Sequence, residues 1–207
     1  MLFFTLQIMN YLAHAYLSFG HPEILVGNMI SDFVKGKKKF NYAPGIQAGI
    51  SLHREIDQFT DDHLITREAK FFFKNDYRLY SGAFVDVVFD HFLATDKNEF
   101  NEEKVLFDLS QDTYQKLDSF KTVFPPGFFG MFPYMKQQNW LYNYKHTWGI
   151  QRSFEGLVHR SAYLDDSVTA FHLFEEHYEA LKNCYTNFFP DLKAFAFERY
   201  TLVLPSF

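Results

Sequence analysis

The stretch HPEILVGNMISDFVKG, residues 21–36, decides the fold of this chain. Its apolar residues recur at intervals of three and four, which places them on one face of a helix: Leu25, Val26, Met29, Ile30, Phe33 and Val34. Pro22 suits the first position of that helix, and Gly36 with the lysines beyond it suits its end. The stretch therefore predicts a helix with one buried face.

The same helical spacing continues along the chain in both directions. We expect further helices at residues 10–19, 44–60, 61–74, 76–94, 101–120, 137–147 and 149–160, then a long helix over 165–188 and a last one beginning at Pro190. The segment FPPGFFGMFPYM, residues 124–135, has the prolines and glycines of a loop. The sequence thus predicts a single all-α helical-bundle domain over residues 9–207, with residues 1–8 as an N-terminal extension.

Composition limits the class of protein. The chain has 207 residues, 47% of them hydrophobic and 22% charged, which is enough for one domain with a hydrophobic core. A net charge of −5 gives no general attraction for nucleic acid, so we expect no nucleic-acid partner. The single cysteine, Cys184, excludes an intrachain disulfide and a multi-cysteine metal site. With no apolar run long enough for a membrane span and no targeting segment, we expect no membrane partner and a cytoplasmic location.

Polar residues interrupt the apolar helices in four pairs. Each pair has i, i+4 spacing, so its two members share a helix face; the pairs are Asn10 and His14, Asn28 and Asp32, His53 and Asp57, and Asp86 and Asp90. His91 follows directly and can border the same cavity as Asp90. One such pair is typical of a hydrogen bond on a helix surface. Four pairs on four predicted helices favour a shared site for Mn²⁺, Mg²⁺, Fe or Zn²⁺.

Two further segments have two interpretations each. The lysine-rich run KGKKK, residues 35–39, is typical of a solvated loop at a helix end, but beside a metal site it would attract an anionic substrate or an acidic partner. The aromatic segment 124–135 either packs over the bundle, which we favour, or forms a lid or wall for a slender ligand.

Four blocks of the sequence resemble the acyl carrier protein phosphodiesterase family in order and spacing. They are MNYLAHAYLS at 9–18, GNMISDFVKG at 27–36, SLHREIDQFTD at 51–61 and VDVVFDHFL at 85–93. A weaker resemblance extends through Asn139-Trp140-Leu141, Tyr144, Gly149-Ile150, Gly156 and Arg160. That family is similar to the HD-type phosphohydrolases, which are all-α metal enzymes, although the dipeptide here reads Asp90-His91 rather than His-Asp.

The resemblance implies a reaction and a cofactor. The family hydrolyses the phosphodiester between 4′-phosphopantetheine and a serine of holo acyl carrier protein, which leaves the apo carrier, and it depends on Mn²⁺, with Mg²⁺ or Fe²⁺ as alternatives. Carrier protein is small and acidic, so the predicted docking residues are Lys35, Lys37, Lys38 and Lys39, and the aromatic segment is a candidate to accept the pantetheine arm.

Residue roles follow from the same resemblance. The expected metal ligands are Asp32, His53 and Asp90, followed by His14 and His91. The expected catalytic set is Asp32, His53, Asp57, Asp90 and His91, with Asn28 and Asp86 as supporting groups or additional ligands. Arg54 or Arg67 is expected to hold phosphate, or else to form a surface ion pair.

Three other functions compete with this interpretation. A phosphohydrolase for a small nucleotide or phosphoester would use the same pocket without a protein-docking patch. A non-catalytic module that binds carrier protein would not require the intact set of His and Asp residues. A helical di-metal redox protein would normally contain Glu-x-x-His pairs, and none occurs in these helices.

Overall fold

A computed structural model describes residues 10–203 of the chain as an arrangement of α-helices without a β-strand. The first five helices are α1 (Tyr11–Tyr16), α2 (Pro22–Ile30), α3 (Pro44–Asp62), α4 (Leu64–Tyr77) and α5 (Ser81–Thr95). The next six are α6 (Glu103–Asp118), α7 (Pro126–Gln137), α8 (Trp140–Asn143), α9 (Thr147–Arg160), α10 (Val168–Glu176) and α11 (Tyr178–Val203). The predicted all-α class is therefore confirmed.

Short 3₁₀ helices refine the predicted boundaries. The helix predicted from residues 21–36 ends as α2 at Ile30 and continues as a 3₁₀ turn over Ser31–Phe33, which carries Asp32. The lysine run forms a second 3₁₀ helix, Gly36–Asn41, instead of an open loop. Gly36 has a φ of +55°, a left-handed conformation that glycine adopts without steric cost, and it is the first residue of the second 3₁₀ helix.

Pro133 and Pro190 lie inside helices, at positions where the sequence predicts a loop and the start of a new helix. Segment 124–135 is mostly helix α7, which contains Pro133, and α11 runs through Pro190. The predicted long helix over 165–188 is wrong, because α10 ends at Glu176 and α11 begins at Tyr178. A proline inside a helix costs about 3 kcal/mol or more. In both helices an apolar face continues across the proline and is buried, which offsets that cost; the buried residues are Phe128, Phe132 and Met135 in α7, and Phe188, Phe189 and Leu192 in α11.

The buried apolar side chains form one continuous core that extends from α1 to α11. Within residues 10–203, no helix has the length and hydropathy that crossing a membrane requires. The division into an extension, residues 1–8, and a domain, residues 9–207, stays a prediction, because residues 1–9 and 204–207 lie outside the described residues.

Helices α2 and α3 pack with their backbones in close approach. A Cβ atom placed on Gly27 would lie 2.1 Å from the carbonyl oxygen of Ile46, and one placed on Gly49 would lie 2.2 Å from the carbonyl oxygen of Ile24. Such distances leave no room for any side chain. The two glycines therefore let α2 and α3 approach closely, and this brings Asp32, in the turn after α2, beside His53 of α3.

We expect Gly49→Ala to destabilise the protein because its methyl group would meet backbone that cannot rotate away. Overpacking of this kind costs about 1–3 kcal/mol, and rigid backbone neighbours favour the upper end. Gly130→Ala is the matched control: Gly130 lies in α7 with no atom near its Cβ position, and alanine in a helix is favoured by about 0.5–1 kcal/mol. Urea unfolding of the three proteins measures both effects, and equal stability of the two variants would contradict the close approach.

Candidate metal centre

Four segments bring polar side chains together at one place in the core. His14 comes from α1, Asn28 from α2, Asp32 from the 3₁₀ turn after α2, and His53 with Asp57 from α3. His14, Asn28 and His53 are buried, whereas 20% of the Asp32 side chain and 37% of the Asp57 side chain are exposed. The group therefore has buried imidazoles on one side and carboxylates that reach solvent on the other.

Two imidazole rings and one carboxylate form the centre of this group. The rings of His14 and His53 are stacked, with centroids 3.9 Å apart. Asp57 spans both of them: its Oδ1 lies 3.2 Å from Nε2 of His14, and its Oδ2 lies 3.1 Å from Nε2 of His53. Oδ1 of Asp32 lies 3.2 Å from the same His53 nitrogen. Three carboxylate oxygens and two imidazole nitrogens thus converge.

A buried hydrogen-bond network determines which nitrogen of His14 carries its proton. The amide nitrogen of Asn28 donates to the His14 carbonyl and to Oγ of Ser18, so Oδ1 of Asn28 is left as an acceptor. Nδ1 of His14 lies 2.8 Å from that oxygen and must donate to it. Nε2 of His14 consequently carries a lone pair directed toward Asp57, as in a metal ligand oriented by a partner on its other nitrogen.

Burial and charge act in opposite directions on the two histidines. Burial lowers the pKa of His14, and His53 beside it lowers it further. Burial also acts to lower the pKa of His53, but Asp57 and Asp32 outweigh it and raise that pKa to about 10. The charge of His53 and the hydrogen bonds to His14 and His53 hold the pKa of Asp57 well below its usual range, against the opposing effect of burial. Asp57 and Asp32 therefore favour the protonated form of His53, whereas burial favours the neutral form of His14.

The donor set fits a divalent cation. His14, His53 and Asp57 each offer a ligand atom within 4.8 Å of the other two. Nε2 of His14 is buried and, among the described residues, has no hydrogen-bond partner, although Asp57 is near it. Imidazole nitrogen with carboxylate oxygen suits Mn²⁺, Fe²⁺ and Zn²⁺. A cation here would replace the His53 proton as the positive charge between the carboxylates.

Asp90 and His91, which we expected among the ligands, make other contacts. The carboxylate of Asp90 accepts hydrogen bonds from the backbone N–H groups of Leu12, at 2.9 Å, and Ala13, at 2.8 Å. It thus binds the first turn of α1, the helix that carries His14. Nδ1 of His91 lies 2.7 Å from the carbonyl oxygen of Tyr144, and its Nε2 lies 3.1 Å from the hydroxyl of Tyr178. These contacts use both side chains structurally, so the geometry does not support either as a ligand.

The remaining predicted residues divide between the site and the surface. Asp86 is buried close enough to Asp57 that, after burial itself, the charge of Asp57 is the largest cause raising its pKa. Arg54 donates to the carbonyl of Val34 at 2.7 Å and so ties α3 to the segment after Asp32. Arg67 is exposed on α4, 4.0 Å from Asp62, which matches the alternative of a surface ion pair.

The lysine run follows Asp32 in the chain, and α7 contacts Phe33, the residue after Asp32. Lys35, Lys37 and Lys38 are exposed, while Nζ of Lys39 donates to Oγ of Ser51 at 3.4 Å. In α7, Phe128 and Phe132 are buried, and the ring of Phe128 packs edge-on against Phe33 at 5.7 Å. Phe128 and Phe132 thus pack over the bundle as the favoured interpretation expects, whereas Phe129 and Tyr134 in the same segment are exposed.

Sequence reasoning missed Ser18 as part of the site. Its Oγ donates to the His14 carbonyl at 2.7 Å and accepts from Asn28. The i, i+4 spacing from His14 was a possible signal, but serine at that distance commonly bonds to the backbone of its own helix.

We expect the affinity for a divalent metal to rise with pH across the neutral range. The pKa of His53 is raised, so its proton is bound below about pH 10 and must leave before the nitrogen binds metal. One displaced proton corresponds to about tenfold higher affinity per pH unit. Titration calorimetry with Mn²⁺ in buffers of different ionisation enthalpy measures the released proton. His53→Gln should abolish the release, whereas His172→Gln, at an exposed histidine of α10, should not change it.

The same proton contributes to the stability of the metal-free protein. A histidine whose pKa is raised on folding stabilises the native state fully below its unfolded value of about 6.5, and that contribution is lost as pH rises through about 10. Chelator-treated protein should therefore lose stability over this range.

A metal affinity that is independent of pH would contradict the protonated state assigned to His53.

Comparison with known proteins finds relatives that match most of the chain. A family model described as "Acyl carrier protein phosphodiesterase" matches residues 9–192. A protein named acyl carrier protein phosphodiesterase from Yersinia pestis is 32% identical over 184 residues, which cover 89% of this chain and 95% of that protein. The protein of the same name from Escherichia coli O45:K1 is 31% identical over 185 residues, covering 88% and 94%.

No solved structure matches the chain, so the relation to HD-type phosphohydrolases stays a prediction. The matches in sequence span the segments that carry His14, Asn28, Asp32, His53 and Asp57. The chain therefore belongs to the acyl carrier protein phosphodiesterase family.

Proposed function

We propose that this protein is a metal-dependent phosphodiesterase that hydrolyses holo acyl carrier protein to apo carrier and 4′-phosphopantetheine. The observation that carries the proposal is the His14–His53–Asp57 cluster in a chain of this family. Nitrogen and carboxylate donors partly open to solvent are what a metal-assisted hydrolase requires. The cytoplasm, where a lone thiol stays reduced, is the proposed location.

The proposed ligands are His14, His53, Asp57 and Asp32, and Mn²⁺ is the proposed ion, with Mg²⁺ or Fe²⁺ as alternatives. This set keeps three of the residues expected from sequence and replaces Asp90 and His91 with Asp57. Asn28 orients His14 through its Oδ1, and Asp90 holds the turn of α1 that carries His14. Both therefore act through a ligand and do not touch the ion.

The reaction adds water to phosphorus and breaks the bond between phosphorus and the serine oxygen, which leaves with a proton. A bound divalent cation supplies two effects: it acidifies water and neutralises charge on the phosphoryl oxygens. The partly exposed carboxylates of Asp32 and Asp57 face the solvent side, where they orient the incoming water by accepting its hydrogen bonds. The buried imidazoles exclude water from the opposite side.

The lysine-rich 3₁₀ helix is the proposed docking surface for the acidic carrier protein. It begins three residues after the turn that carries Asp32, so a carrier bound there would present its modified serine near the centre. Exposed charges of this kind accelerate association more than they strengthen the final complex.

Intact-mass analysis of holo carrier protein incubated with the purified protein and Mn²⁺ tests the proposed reaction. Loss of the phosphopantetheine mass from the carrier is the expected result. Hydrolysis of nucleotides with no change in holo carrier would instead identify a phosphohydrolase for small phosphoesters. Carrier binding without any mass change would identify a binding module.

We expect Asp32→Ala to remove a metal ligand without unfolding the protein. Bound metal should fall, and hydrolysis should drop by several orders of magnitude, while the loss of stability stays small because Asp57 still pairs with His53. Asp76→Ala, at an exposed aspartate of α4, is the charge-matched control and should keep full activity. Elemental analysis, thermal unfolding and holo-carrier hydrolysis on the same preparations make the comparison.

Asp90→Ala should chiefly reduce stability, whereas Asp32→Ala should chiefly reduce bound metal and activity. The Asp90 substitution leaves two buried backbone N–H groups without an acceptor, at a cost of about 1–3 kcal/mol for each. Stability should therefore fall more than in Asp32→Ala. A destabilised but fully active Asp32→Ala protein would refute the assignment of Asp32 to the metal.

Replacing Lys37 and Lys38 by Glu should slow the reaction with holo carrier protein, chiefly by slowing association. Both side chains are exposed, so the fold should persist. The control replaces Lys97 and Lys182, exposed lysines on other segments, by Glu and keeps the same total charge change. Stopped-flow binding at two salt concentrations measures the effect, because salt screens such attraction over about 8–10 Å. Equal losses in both double variants would exclude a specific docking surface.

A further inference from the structure

A cleft between α8 and α9 has no role in the site described so far. Two tryptophans and two arginines line it, namely Trp140, Trp148, Arg152 and Arg160, together with Tyr144 and Gly156. Its lining within the described chain includes no aspartate or glutamate, and no ion pair involves either arginine there. In a protein with a net charge of −5, this cleft concentrates positive charge without a carboxylate to balance it.

The arginines are positioned in two different ways. The guanidinium of Arg152 lies over the indole of Trp148, 5.2 Å from the ring centre, which orients both groups. The guanidinium of Arg160 lies over Gly156, where a Cβ atom would be 3.0 Å from one of its nitrogens. Glycine at that position leaves the space the guanidinium occupies.

Helix α5 joins the cleft to the helix that carries His14. Tyr144, in the cleft lining, accepts a hydrogen bond through its carbonyl oxygen from Nδ1 of His91, at 2.7 Å. The carboxylate of the preceding residue, Asp90, accepts from the backbone N–H groups of Leu12 and Ala13 in α1. The cleft lining and the candidate metal centre are therefore attached to neighbouring residues of one helix.

The chemistry of this lining matches a phosphate ester with a slender, mostly neutral arm. Guanidinium groups bind phosphate oxygens through paired hydrogen bonds. Indole faces pack against apolar chain, and Ser153 and Asn143 in the lining offer hydrogen bonds to amides. A purely apolar ligand would leave both guanidinium groups without an anion, and a bare anion would leave the apolar part of the lining without contact. Trp148 already stacks on His146, with ring centres 5.3 Å apart, and carries Arg152 over its ring, so it contributes a fixed wall.

We propose that this cleft binds the 4′-phosphopantetheine arm, with Arg160 holding the phosphate and Trp140 and Trp148 flanking the arm. The inference rests on the proposed function and deepens it, since it assigns the substrate's arm to residues outside the metal centre. Segment 124–135 buries Phe128 and Phe132 in the core and exposes Phe129 and Tyr134, and neither exposed ring lines this cleft, so the proposal assigns the arm to the cleft instead.

Tryptophan fluorescence tests the cleft directly, because the chain has two tryptophans and both line it. The probes are 4′-phosphopantetheine, pantetheine and inorganic phosphate, each titrated into the full chain as purified and again after chelator treatment. 4′-Phosphopantetheine should change the fluorescence in both preparations. Pantetheine and inorganic phosphate should each bind at least about tenfold more weakly, since each lacks one part of the recognised group.

Arg160→Gln should weaken binding of 4′-phosphopantetheine by about 10- to 100-fold, as expected for a charge-assisted hydrogen bond, and leave binding of pantetheine unchanged. Lys97→Gln removes one exposed positive charge elsewhere and should have no effect. Gly156→Ala should also weaken binding, by displacing the guanidinium, while helix propensity keeps its stability at or above that of the parent.

Several results would overturn the proposal: equal affinity for 4′-phosphopantetheine and either partial probe, unchanged affinity in Arg160→Gln, or loss of binding on chelation. These readouts involve no turnover, so they are independent of the proposed reaction. A protein that hydrolyses holo carrier but fails these tests refutes the cleft assignment alone. A protein that binds 4′-phosphopantetheine in the cleft but leaves holo carrier intact refutes the proposed hydrolysis alone.

Discussion

The close approach of α2 and α3 at Gly27 and Gly49 is the constraint on which the candidate metal centre depends. Each glycine faces backbone atoms of the other helix at distances that no side chain permits. Because the helices touch there, the turn after α2 carries Asp32 to within 3.2 Å of His53 on α3. A wider spacing would separate the Asp32 carboxylate from the His53 imidazole and leave Asp57, on the same helix as His53, as the one carboxylate beside that imidazole among the described residues.

Near that contact, carboxylates lie beside a buried histidine and offset the cost of burying its charged form. The imidazole of His53 is buried, yet its pKa is raised because Asp57 and Asp32 favour its charged form more than burial opposes it. His14, stacked on it, has a lowered pKa and a proton fixed on Nδ1 by Asn28. The pKa values of the two stacked histidines are therefore shifted in opposite directions. This difference leaves one neutral nitrogen and one exchangeable proton in the same group, a state that a divalent cation can replace with little rearrangement.

Packing, more than local sequence, decides the helices in the second half of the chain. Pro133 and Pro190 each remove a backbone hydrogen bond, and from sequence both are typical of a break. The helices continue because the rings of Phe132 and Phe188 lie in the core, where each contributes about 1.5–3 kcal/mol when buried. The buried aromatic residues thus stabilise α7 and α11 across their prolines. The two tryptophans, in α8 and α9, line the surface cleft instead.

The sequence by itself determined the all-α class, the segments that carry His14, Asp32 and His53, and the family, because helical periodicity and motif spacing are local properties of the chain. It also paired His53 with Asp57, since i, i+4 spacing places two side chains on one face. Only the tertiary structure decided which carboxylates meet the histidines. Asp57 and Asp90 belong to pairs of the same spacing, but one faces two imidazoles and the other two backbone N–H groups of α1. That difference arises from how helices 78 residues apart pack against each other, and no local pattern encodes it.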